Sequence, residues 1–430
     1  MAFDVAARAR SGKAHGRVRG RLSAASDLVF SAFDGVVSRI EEVHIAVADR
    51  PFAAVARAGL PAAAVRHAHD GVTMLAYASV RAAGAVAGVL TGAMLAGVGA
   101  RPARPSSSGS RWVDHALGAL GGVIGDRLER EANALGVPME LRHRDHGLSP
   151  EPAALAAAFP DATGRIAVFV HGLCGTEHTW GFGGREPYGS RLRSDLGYTP
   201  LYVRYNSGLH VSENGRRLAD LLDATVGAWP VEVDELAIVG HSMGGLVARS
   251  ACHYGRVEDR RWTRVVRHVI CLGSPHLGTP LEKLANVGAW ALGMFRETRP
   301  FAAVLNGRSA GIKDLRFGYV LDEDWRDVDP DALLENTRRE CTLLDSAAYH
   351  FLSATITRAP HHPVARLLGD TLVRVPSASG PPTWRRTSRW IGATSHLGLL
   401  NDPVIYDQLR GWLGGGEAGA SGASVCRPRR

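Results

Sequence analysis

The sequence predicts an α/β fold: a mostly parallel sheet with helices on both faces, a helical cap insertion, and an N-terminal helical region ahead of it. Three observations predict it. From about residue 112 onward, short apolar segments alternate with amphipathic ones, the rhythm of strand and crossover helix. A Gly-x-Ser-x-Gly sequence stands between one such strand and one such helix. A connection of about 70 residues follows later, far beyond a normal crossover, and reads as an insertion. The strand candidates, in order, are residues 165–170, 200–204, 235–239, 268–272 and 349–356. Most run into glycine or another turn-forming residue within two positions.

Composition bounds the alternatives. The 430 residues are 45% hydrophobic and 21% charged, which excludes a wholly disordered or collagen-like chain. Five scattered cysteines argue against a disulfide framework and fit a reducing, cytoplasmic setting. No cysteine–histidine spacing has the form of a zinc site. The net charge of +8 is unevenly placed. Residues 1–111 hold 14 Lys/Arg against 7 Asp/Glu, and residues 417–430 hold three arginines against Glu417. The region between is nearly neutral, so a nucleic-acid partner is not expected.

The charge map divides the chain. Residues 1–111 comprise a basic arm, an Ala-rich helical region and a linker; 112–413 form the α/β domain, with its cap at about 277–347; 414–430 read as a disordered tail. The arm carries Arg8, Arg10, Lys13, Arg17, Arg19 and Arg21 without the apolar run of a secretory signal peptide. Pro51 and Pro61 punctuate the helices that follow. Gly84, Gly88 and Gly92, continued by Ala96 and Ala100, put small residues along one helix face. That stripe fits either a membrane-embedded helix or an Ala-rich helix in a helical layer. Peripheral membrane contact through this basic N-terminal region is the partner reading that the charge supports. The Pro/Ser/Gly/Arg stretch 101–111 is the linker candidate.

The chemistry centres on Gly240-His241-Ser242-Met243-Gly244-Gly245. Residues 235–239 read as a buried strand and 246–252 as a helix, which places Ser242 at a sharp strand-to-helix turn with its hydroxyl exposed. Such a serine needs a base to take its proton. His396, far downstream and just before a final helix at 404–413, is the candidate base, and Asp370, in a Gly-Asp turn after the fifth strand, is the candidate acid. Residues 168–170 run into His171-Gly172-Leu173-Cys174-Gly175. The backbone N–H groups of Leu173 and Met243 are the candidate oxyanion donors. His171 reads as holding this loop rather than as a second base. Gly172, His171 and Asn206 are candidate substrate contacts. Trp290 and Phe295, in an apolar series with Leu284, Val287, Ala291, Met294 and Phe301, are candidate walls of an acyl pocket, or members of an amphipathic helix covering the sheet.

Five segments together, HGLCGTEHTW, GHSMGGLVAR, LGSPHLGTPLEKL, GDTLVRVPSASG and TSHLGLLNDPVIY, resemble the α/β-hydrolase superfamily. More narrowly they are similar to the bacterial lipase/esterase branch related to GPI inositol-deacylase-like serine hydrolases. The resemblance spans about 112–413 and implies Ser242 as nucleophile, Asp370 as acid and His396 as base. It implies no metal and no organic cofactor. The expected activity is hydrolysis of a small-molecule or lipid carboxylic ester through an acyl-enzyme. A thioesterase or acyltransferase would use the same three residues. A non-catalytic, membrane-associated scaffold on a hydrolase fold is the reading from a different class.

Overall fold

The computed structural model describes residues 107–415 other than 134, 295–297, 360, 382 and 385, together with scattered positions between 37 and 86. The chain divides into two compact units, Met1–Ala116 and Leu117–Arg430. In the first, the described positions between 37 and 86 are helical, continuously so over residues 76–84. The His44 ring there lies 3.1 Å from the Tyr77 hydroxyl and 3.2 Å from His69 Nε2. Among the described residues no helix is long and apolar enough to cross a membrane. The basic arm, the small-residue series from Gly88 to Ala100 and the tail beyond residue 415 lie outside the described residues.

Helix α1 (Ser107–Arg130) begins inside the stretch read above as a linker. The serines after Pro105 suit a helix start, where short hydroxyl side chains are favoured over helix-interior residues.

The second unit is built on an eight-stranded sheet formed by the described residues. Its strands are β1 (Glu140–His143), β2 (His146–Leu148), β3 (Arg165–Val170), β4 (Thr199–Arg204), β5 (Glu235–His241), β6 (Val266–Leu272), β7 (Ala348–Ala354) and β8 (Thr387–Ile391). They lie in the order β2-β1-β4-β3-β5-β6-β7-β8. The hairpin β1–β2 joins β4 antiparallel, and the other pairings are parallel. The five expected strands are present within two residues at each end. The hairpin and β8 have no counterpart among them.

Side-chain alternation sends the two faces of each strand to different cores. Ile166, Val168 and Val170 of β3 pack with Leu236 and Ile238 of β5 under α4 (Val211–Gly227) and α5 (Met243–Val257). Ala167 and Phe169 pack with Ala237 and Val239 on the other face, under α3 (Tyr188–Leu196) and α11 (Pro403–Leu413). Because both faces are covered, the central strands read as continuous apolar runs rather than alternating ones.

Residues 273–347 connect β6 to β7. They hold α6 (Pro280–Gly293), α7 (Arg299–Asn306) and α8 (Ala310–Asp314). The helix α6 is capped by Thr279, whose hydroxyl accepts the Glu282 N–H, with Pro280 in its first turn. It buries Glu282, Asn286 and Ala289, and the Glu282 carboxylate pairs with Arg308 and Arg316. Leu284, Val287, Trp290 and Met294 occupy the opposite face and are exposed. Helical spacing identifies this stripe; the opposite side of the helix is the one held by the buried Glu282 and Asn286.

Candidate functional site

Strand β5 ends at His241 and helix α5 begins at Met243, so Ser242 alone makes the turn. Its backbone sits at φ 54°, ψ −124°. For a residue with a Cβ this conformation costs about 1–3 kcal/mol and persists only when the surroundings hold it. They do. Ser242 N–H donates to Leu272 O at 2.8 Å, tying the turn to β6. A Cβ on Gly240 would come within 2.4 Å of Gly245 N, and one on Gly244 within 2.2 Å of Val170 O. Both neighbours are backbone atoms that cannot swing aside, so the flanking glycines are what let strand, turn and helix pass so closely.

The loop after β3 approaches the same point. A Cβ on Gly172 would lie 3.0 Å from Ser242 Cβ. Among the described residues, neither Leu173 N–H nor Met243 N–H donates to a backbone carbonyl. The loop is clamped from behind. Cys174 N–H donates to Ser207 Oγ at 3.0 Å, and Gly175 N–H returns to Gly172 O at 3.1 Å. Gly118, Gly122 and Gly125 of α1 leave no room for side chains: a Cβ would meet Thr176 Cγ2 at 2.7 Å, Cys174 Sγ at 2.2 Å and Asn206 Oδ1 at 1.9 Å, respectively. These α1 glycines are a supporting feature that the sequence reading passed over, although their spacing of four and three places them on one helix face.

His171 is fully buried and stacks on Tyr205 with ring centroids 4.3 Å apart. Its Nδ1–H donates to Gly172 O at 2.8 Å and its Nε2 accepts Tyr205 N–H at 3.3 Å. Burial pushes its pKa down to about 4. Both nitrogens are thus engaged by backbone, an arrangement that fixes the loop. Asn206 is likewise occupied, donating to Gly125 O at 2.9 Å and accepting Gly208 N–H at 3.1 Å. The structure brings neither side chain to the site with a free polar atom. Trp290 is on the exposed face of α6, and Phe295 lies outside the described residues.

Asp370 and His396 come together from the loops after β7 and β8. His396 Nδ1–H donates to Asp370 Oδ2 at 2.7 Å, with both residues buried. The other carboxylate oxygen accepts Leu372 N–H at 3.0 Å and Val373 N–H at 2.9 Å. His396 N–H donates to Asp370 O at 2.8 Å, locking the two loops in register. With Nδ1 carrying the proton, Nε2 is left as the acceptor. Gly273, at φ 61°, makes room for the pair, because a Cβ there would sit 3.1 Å from Asp370 Oδ2 and 3.3 Å from His396 Cε1.

His241, beside Ser242, links the two halves. Its Nε2–H donates to His396 O at 3.1 Å, and the two rings lie 4.7 Å apart. Burial, reinforced by the nearby His396 ring, pushes its pKa down to about 3, so it stays neutral. No hydrogen bond to the Ser242 hydroxyl is present among the described residues. Resting geometry at such sites is often looser than in a substrate complex.

One family model matches, that of a domain of unknown function (DUF7379), over residues 138–306. No curated protein matches the chain. Solved structures similar to it include the mature form of Bacillus licheniformis lipase BlEst2, at 19% identity and a TM-score of 0.38, covering 58% of this chain and 91% of that one. The lipase of Staphylococcus hyicus is similar at 14% identity and a TM-score of 0.34, over 59% and 95%. The NocB thioesterase domain from the nocardicin cluster is similar at 13% identity and a TM-score of 0.33, over 60% and 96%. With its sheet order, the strained strand-to-helix turn at Ser242, and an Asp–His pair in the loops after β7 and β8, the chain has an α/β-hydrolase fold.

Proposed function

We propose that this chain is a serine hydrolase of carboxylic esters, of the lipase/esterase type, working through an acyl-enzyme. The observation that carries the reading is the buried, 2.7 Å Asp370–His396 pair beside a serine held at positive φ. Strain of that kind at a half-buried serine has a use in nucleophilic catalysis and little in packing.

In this reading His396 Nε2 takes the Ser242 proton as Oγ adds to the ester carbonyl carbon. Asp370 keeps its charge and stabilises the imidazolium. The carbonyl oxygen becomes an oxyanion facing Leu173 N–H and Met243 N–H. The C–O bond then breaks, and His396 gives its proton to the departing alkoxide. Water, deprotonated by His396, attacks the acyl-Ser242 ester, and collapse of the second intermediate returns the proton to Ser242. Every step uses this chain's own groups and one water.

A domain boundary near residue 111, a substrate among medium or long acyl chains, and kinship with GPI inositol-deacylase-like hydrolases belong to the same proposal. The last rests on the five motifs. The exposed apolar stripe Leu284–Val287–Trp290–Met294 supports an apolar substrate, since such a face on an insertion favours contact with lipid or acyl chains. A thioesterase or acyltransferase differs only in the leaving group or in what attacks the acyl-enzyme. Stopped-flow hydrolysis of p-nitrophenyl esters and matching acyl thioesters, with chains from acetyl to palmitoyl, tests it. A burst of nitrophenol equal to the enzyme concentration, lost in Ser242→Ala, is expected. Turnover that persists in Ser242→Ala would overturn the reading.

A further inference from the structure

Beside α5, on the sheet face away from α3 and α11, lies a cavity of about 270 Å³ that the proposed hydrolysis does not use. Arg249, Arg338 and Trp384 line it together with the exposed Arg339, Glu340 and Thr383. Arg249 is seven residues along α5 from Ser242, a helix rise of about 10 Å.

Arg249 is buried, with 2% of its surface exposed. Among the described residues it forms no ion pair with a carboxylate. One terminal nitrogen meets His276 Nδ1 at 3.1 Å, the guanidinium lies 4.0 Å over the Trp384 ring, and its Nε–H has no hydrogen-bond partner. His276 is itself fully buried and neutral, pushed well below its ordinary pKa by burial and then by Arg249, Arg386 and Arg338. Arg249 thus bonds a neutral ring, with Arg386 and Arg338 near enough to depress its protonation further. Arg338 donates to His276 O at 2.9 Å and Arg386 to Gly380 O at 3.1 Å. Arg386 Nε and His276 Nε2 also lack partners. Among the described residues no ion pair joins Arg249, Arg338 or Arg386 to a carboxylate; Glu340 lines the cavity, and it and Asp324 act on Arg338 only at longer range.

A guanidinium cannot shed its charge, and an uncompensated one costs several kcal/mol to bury. Elsewhere this chain satisfies the requirement, as where Glu177 faces Arg142 and Arg204. Here it supplies cations, unpaired N–H donors and a cavity, but little negative charge. We propose that this cavity binds a phosphate-class oxyanion, gripped by Arg249 and Arg338 with Trp384 as its apolar wall. Forked guanidinium donors match phosphate oxygens two at a time, which favours this class over a monovalent anion. The cavity would admit inorganic phosphate or the phosphoryl end of a larger ester.

Calorimetric titration of the full chain with inorganic phosphate, and separately with glycerol 3-phosphate, tests this at ionic strength matched with chloride. One-to-one binding and a phosphate-dependent rise in Tm are expected. Arg338→Ala should weaken binding about tenfold or more, the loss expected for one charge-assisted bond. Arg249→Met should abolish the rise in Tm. Ser242→Ala should bind normally, which separates this inference from the proposed hydrolysis. Tighter binding of glycerol 3-phosphate would point to a headgroup; equal or weaker binding would point to the free anion. No binding of either, or equal binding by the folded Arg338→Ala protein, would overturn the proposal.

Discussion

Replacing Asp370 by Asn separates the proposed catalytic role of this carboxylate from its structural one. The carboxylate has two duties at two oxygens. Oδ1 accepts the N–H groups of Leu372 and Val373, and Oδ2 accepts His396 Nδ1–H at 2.7 Å. An asparagine carbonyl can keep the first two bonds, but its NH2 then confronts Nδ1–H, donor against donor. The imidazole must move its proton to Nε2, and the nitrogen facing Ser242 stops being a base. The analogous change in a serine protease triad lowers kcat by about 10⁴, or about 5 kcal/mol at 1.36 kcal/mol per decade. Stability should change by only about 1–3 kcal/mol, the worth of one hydrogen bond to a charged group. Asp370→Ala should behave differently, stranding two buried N–H groups at about 1–3 kcal/mol each. Ester turnover and urea unfolding, measured on both variants, read the two duties independently. An Asp370→Asn protein that keeps more than about a tenth of wild-type turnover, against the expected 10⁴-fold loss, would refute the tautomer argument.

Three further outcomes follow from the same geometry. Gly244→Ala would push a Cβ to 2.2 Å from Val170 O and 2.4 Å from His171 O; it should lower stability by about 3 kcal/mol or more, since overpacking against backbone has no easy relief, and unfolding midpoints check it. Glu177→Gln removes the buried carboxylate shared by Arg142 and Arg204 and should cost about 3–5 kcal/mol in chemical denaturation. For His171, the folded pKa of about 4 lies below the unfolded value, so the unfolded chain binds more protons between them. Stability is then complete above about pH 6.5 and falls by about 3 kcal/mol as pH drops to 4, with His241 adding in the same direction. A Tm that stays flat from pH 6.5 to 4.5 would contradict this.

What could be read from the sequence follows burial. Strands β3 to β7 are covered on both faces, so Ile166-Ala-Val-Phe-Val170 and its neighbours stand out as apolar runs. The hairpin β1–β2 and strand β8 lie at the sheet's two ends. Glu140-Leu-Arg-His143, His146-Gly-Leu148 and Thr387-Ser-Arg-Trp-Ile391 are short and half-exposed, and nothing in their composition separates them from loop. The turns carrying Ser242 and Asp370 could be picked out through Gly240, Gly244 and Gly369, where a Cβ would strike backbone. The outward direction of Trp290 could not, since periodicity marks a stripe on a helix without saying what it faces. Arg249 gave no signal either. Its missing counter-charge is a property of residues 27, 89 and 137 positions further along the chain, at His276, Arg338 and Arg386.

The claim at the centre is that Ser242 is the nucleophile. Intact-mass and peptide-level mass spectrometry of the chain after exposure to a fluorophosphonate test it directly. The account predicts one phosphonyl adduct per chain, on Ser242, with none on the Ser242→Ala protein and strongly slowed labelling in His396→Ala. An unlabelled wild-type protein, or an adduct that persists when Ser242 is alanine, would contradict it.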